Sequence, residues 1–121
     1  MRRSALIAAV IALAVAIPAI ATGATTKPKP KTYTVKTGDD FFDPTKKTIH
    51  VNDIVKWVWV GADNKPGETV NEHAITESDD KFHSADKTSG TFRWRFKKAG
   101  KFTIFCAQHT QQMRMKVTVK P

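Results

Sequence analysis

One segment alternates so strictly that it leaves a single backbone geometry open. From Thr91 to Lys97 the order is TFRWRFK: Phe92, Trp94 and Phe96 fall on one face, Arg93, Arg95 and Lys97 on the other. A period of two is the spacing of an extended strand, and no helix can sort those residues into two faces. After the Ala99-Gly100 turn the pattern resumes, with Phe102, Ile104 and Cys106 continuing an inward face. A last strand places Met115, Val117 and Val119 inward and Lys116, Thr118 and Lys120 outward.

The rest of the chain reads the same way. Tyr33 and Val35 predict a first edge strand, ended by Gly38-Asp39-Asp40. Pro44 after Asp43 marks a turn, Ile49 and Val51 share a face, and Asn52-Asp53 turns again. Ile54 to Val60 is rich in β-branched and aromatic residues; Trp57 and Trp59 share one face. A polar loop from Ala62 to Asn71 leads to a strand from His73 to Thr76. Trp57, Trp59, Phe92, Trp94 and Phe96 are expected in the core, and Glu77 to Asp80 on a solvated loop. Seven or eight short strands with turns between them, and no internal repeats, indicate one all-β sandwich.

The N-terminus is different. Arg2 and Arg3 precede an apolar run from Ala5 to Ile17, and Ala19-Ile20-Ala21 has the small residues of a cleavage site. Residues 1–21 are therefore read as a signal peptide, which implies export to a periplasm or the extracellular space. The rival is a retained anchor, but the run is shorter than the ~20 residues a spanning helix needs, and Pro18 interrupts it. Residues 22–31 form a Pro/Lys-rich extended leader, and residues 32–121 the domain. Losing Arg2 and Arg3 would lower the net charge from +9 to +7, enough to steer association with acidic partners. Export and the scattering of the basic residues argue against nucleic acid as a partner.

The sequence contains one cysteine, Cys106. A disulfide-stabilised exported domain would carry an even number, and a free thiol in an oxidising compartment is a liability unless something occupies it. His109 and then Met113 follow on the same short loop. Thiolate, imidazole and a weak thioether are the donors of a blue-copper site, which needs a second histidine; His73 is placed to supply it. His50 and His83 read as surface residues. Met115 shares the inward face of Val117, so it reads as core, although its nearness leaves two candidates for the thioether. No Ser/His/Asp set, phosphate loop or supported carboxylate pair points to an enzyme.

These residues resemble the cupredoxins of the plastocyanin, amicyanin and halocyanin type. The likeness runs from Tyr33 to Lys120: FFDP at Phe41, TIHVND leading into VKWVWVG, His73, FHS at Phe82, GTF at Gly90, AGKFTIFC, His109, and MRMKVTV from Met113. It implies a Greek-key sandwich of seven to eight strands. It also implies one copper cycling between Cu(I) and Cu(II), with His73, Cys106 and His109 as equatorial ligands and Met113 axial. The implied function is electron shuttling by a monomer between redox proteins, with possible peripheral contact with membrane redox complexes. Copper storage, delivery or protein interaction without a redox circuit is the alternative. Three features depart from the family. His109 and Met113 are separated by three residues, Met115 stands where glycine is frequent, and Ala74 replaces an asparagine that in plastocyanins bonds across to the cysteine loop.

Overall fold

The computed structural model describes residues 14–16, 27–61 and 71–121. Most of the signal segment, half of the leader and most of the Ala62–Asn71 loop lie outside them. No helix among the described residues is long and apolar enough to cross a membrane.

Eight strands form two four-stranded sheets. They are β1 (Thr32–Gly38), β2 (Phe41–Asp43), β3 (Lys46–His50), β4 (Ile54–Trp59), β5 (Thr76–Glu77), β6 (Thr91–Arg95), β7 (Gly100–Phe105) and β8 (Arg114–Lys120). One sheet runs β2-β1-β4-β6, the other β3-β8-β7-β5. Both are mixed: β1 lies parallel to β4, and β3 parallel to β8, while the other pairs are antiparallel. The expected all-β sandwich is the observed architecture.

Alternation drives the packing. On β4, Val55, Trp57 and Trp59 are fully buried, and on β8 Met115, Val117 and Val119 face them from the other sheet. Each such side chain contributes roughly 1.5–3 kcal/mol by leaving water. The Trp57 indole is satisfied within this layer, its Nε1–H donating to the Met115 sulfur at 3.3 Å. At the end where β4 begins, buried Asp53 accepts from the backbone N–H of Lys31 at 2.8 Å and of His50 at 2.9 Å. One carboxylate thus ties the chain entering β1 to the end of β3.

Three local expectations are corrected. β1 is an inner strand, because β2 folds back in a hairpin and covers its outer edge. Trp94 is 37% exposed: β6 is the last strand of its sheet, and this ring stacks on Phe82 at 4.6 Å rather than entering the core. Glu77 is 2% exposed, not solvated. Its carboxylate accepts from the N–H of Asp79 at 2.8 Å and of Lys81 at 3.2 Å, so it organises the turn that follows β5.

Candidate metal centre

β7 and β8 are antiparallel neighbours, and the loop joining them at one end of the sandwich runs from Cys106 to Met113. Hydrogen bonds close it on itself. Cys106 N–H donates to the Met113 carbonyl at 3.1 Å, His109 N–H to that of Cys106 at 3.0 Å, and Met113 N–H to that of His109 at 3.0 Å. The loop needs few residues because its ends are already held one strand spacing apart.

His73 comes from a different part of the chain. The strand expected from His73 to Thr76 is instead a single bridge between His73 and Lys87, followed by the two-residue β5. His73 N–H donates to Lys87 O at 3.0 Å and Lys87 N–H to His73 O at 2.9 Å. Ser84 extends this support, its hydroxyl accepting from Ile75 N–H at 2.9 Å. The backbone carrying the histidine is therefore fixed without a long strand.

The three donors converge. Cys106 Sγ lies 3.8 Å from His73 Nδ1 and 3.8 Å from His109 Nδ1, and all three donor atoms are within 4.8 Å of one another. Cys106 and His73 are fully buried; the His109 side chain keeps 29% of its surface exposed. Met113 is fully buried where the loop returns to β8. Met115 is buried too, with its sulfur already accepting the Trp57 proton. His50 and His83 are exposed and take no part.

The spacing is that of an ion's first shell. Bonds of about 2.3 Å to sulfur and about 2.0 Å to nitrogen put two donors of one ion roughly 3.5–3.7 Å apart. The observed separations of 3.8 Å lie within reach of one such ion, and two histidines with a cysteine are a donor set that copper takes. The cluster is a potential metal site that fits a blue copper protein.

One contact was not legible in the sequence. Gly38-Asp39-Asp40, read only as a strand breaker, lies at this same end of the fold. Asp39 Oδ1 is 2.9 Å from His73 Nε2 and also accepts from Asn71 N–H at 2.9 Å; Asp40 Oδ1 is 3.6 Å from His109 Nε2. The hydrogen bond from His73 holds the Asp39 carboxyl below its ordinary value of 3.8; partial burial opposes this, and the Asn71 N–H adds to it. The turn brings the acids this far because Gly38 has no side chain: a Cβ there would occupy the space of the Phe41 ring.

Comparison with solved structures settles the architecture. An amicyanin variant in its Cu(I) form superimposes with a TM-score of 0.60 and 18% identity, over 74% of this chain and 82% of that one. The fold is that of the cupredoxins. Plastocyanin from Dryopteris crassirhizoma gives a TM-score of 0.56 at 17% identity, covering 73% of this chain and all of its own. The Cu-containing nitrite reductase NirK from Thermus scotoductus SA-01 gives 0.58 at 23% identity, over 79% of this chain but 23% of that protein. No protein-family model matches the sequence, and no curated protein matches it. The cupredoxin sandwich is thus reached by a sequence far from these neighbours, with a His-Cys-His cluster at one end.

Proposed function

We propose that this protein is an exported mononuclear blue-copper electron carrier, with His73, Cys106 and His109 as equatorial ligands and Met113 axial. The observation that carries the reading is the pair of 3.8 Å separations joining a buried thiol to two ring nitrogens from distant parts of the chain. Copper at that point supplies a one-electron couple. The chain's part is to fix the donors before the ion arrives, so that little moves when the charge changes. Backbone bonds within the Cys106–Met113 loop and across the His73–Lys87 bridge support that rigidity. The engagement of the Met115 sulfur with Trp57 favours Met113 as the axial donor.

His109 is the electron's port, since it alone of the three donors reaches solvent. One cysteine and four histidines in the whole sequence favour a carrier over a copper enzyme that needs a second metal. Partners are other redox proteins, met by a monomer; acidic docking surfaces and contact with membrane redox complexes belong to this proposal, as does export through residues 1–21. The carrier reading has a direct test. Copper-loaded protein should show an intense thiolate-to-copper visible band and a narrow-hyperfine spin-resonance signal, both absent in Cys106→Ser. A colourless protein in both oxidation states would remove the reading. Rapid loss of copper on reduction would favour delivery or storage instead.

A further inference from the structure

The two ring nitrogens that face away from Cys106 meet the two carboxylates of the β1–β2 turn. The two contacts differ. Asp40 stands 3.6 Å from His109, beyond a hydrogen bond, whereas Asp39 stands 2.9 Å from Nε2 of the fully buried His73. We propose that Asp39 is a positioning residue of the metal centre, which fixes the His73 tautomer and, through its charge, favours the higher oxidation state of the bound ion. The second half rests on the copper reading; the first does not.

An ionised carboxylate can only accept, so a 2.9 Å contact requires the imidazole proton to sit on Nε2. The lone pair of neutral His73 is then on Nδ1, the atom 3.8 Å from the cysteine sulfur. The other tautomer would set a proton where the ion must go and a lone pair against a negative oxygen. Asp39 Oδ1 also holds Asn71 N–H, two residues before His73, while Lys87 holds the His73 backbone. Ring and backbone are therefore each held by a separate contact. Donating to a carboxylate makes the imidazole a stronger donor, and a nearby negative charge stabilises a doubly charged ion more than a singly charged one. Asp39 is about half exposed, its side chain keeping 48% of its surface, so water weakens the effect without removing it.

The test compares wild type with Asp39→Asn, which keeps an acceptor but loses the charge, and Asp39→Ala, which loses both. In copper-loaded protein the reduction potential should rise in both variants. The expected size is about a tenfold loss of preference for Cu(II) over Cu(I), roughly 59 mV for one electron. In metal-free protein, nitrogen NMR should show His73 protonated at Nε2 in wild type and mixed tautomers in Asp39→Ala. A blue wild type whose potential is unchanged in both variants overturns the charge effect, and a wild-type His73 carrying its proton on Nδ1 overturns the positioning role. If wild type binds no copper or stays colourless, the copper reading fails, and the metal-free spectrum alone decides the tautomer.

Discussion

Two methionines lie two residues apart where the cysteine loop passes into β8, and their surroundings separate their roles. Met115 spends its sulfur on the Trp57 indole deep in the sandwich, while Met113 closes the cysteine loop. Met113→Gln should lower the reduction potential, since a harder oxygen donor favours Cu(II), and should shift the visible spectrum. Met115→Leu should leave the spectrum in place and cost about 1–2 kcal/mol in urea denaturation, by leaving the Trp57 N–H unpartnered. The reverse result would exchange the two roles. A second residue-scale consequence concerns acid. Burial by itself raises the Asp53 carboxyl, but hydrogen bonds from Lys31 and His50 N–H outweigh it, with smaller help from the charges of His50 and Lys31, and hold it below 3.8. A carboxyl depressed in the folded state adds stability above its unfolded value and loses it as pH falls through the folded value. The unfolding free energy should therefore decline below about pH 4, and Asp53→Asn, less stable at neutral pH, should show a shallower acid slope.

At the scale of elements, the hidden feature is the turn after β5. Glu77 is buried with two backbone N–H donors, and removing it would strand both. Glu77→Ala should destabilise the fold by about 2–3 kcal/mol in chemical denaturation, with Glu77→Gln intermediate; a change within a few tenths would mean that water replaces the carboxylate. Sequence shows why this was missed. Glu77 stands in ESDDK, and nothing in a run of charges marks the one that turns inward. Alternation was legible where both faces of a strand have different fates, as on β4 and β8. It misled on β6, where Trp94 keeps the core period yet lies on the outermost strand. The Cys106, His109 and His73 cluster was readable because its donors are rare in this chain and close in sequence or flanked by strands. Asp39 was not, because aspartate after glycine is ordinary turn chemistry, and only the hairpin geometry aims it at His73.

Across the whole molecule, charge is distributed against its own average. The sequence carries +9, yet the loop residues 107–112 include no lysine, arginine, aspartate or glutamate, and Asp39 and Asp40 stand beside the two histidines. Arg95, Lys97, Lys98 and Lys101 gather instead at the β6–β7 turn, the far end of β7 from Cys106. Six residues of strand separate the two ends by about 20 Å. That exceeds the screening length of ~8 Å at physiological ionic strength but falls within the ~30 Å at 0.01 M. A small anionic oxidant such as ferricyanide therefore meets two different proteins. In dilute buffer the net positive charge draws it in, whereas at physiological salt the acids at the His109 edge decide. Stopped-flow oxidation of the copper-loaded protein should slow several-fold between those conditions. Asp40→Asn should speed the reaction at both salts, and by the larger share of the total electrostatic effect at the higher one, because its carboxylate lies against the exposed ring while the lysines do not. A rate that rises with salt would show that the acidic turn governs approach even at long range, and a port other than His109 would leave the rate indifferent to Asp40.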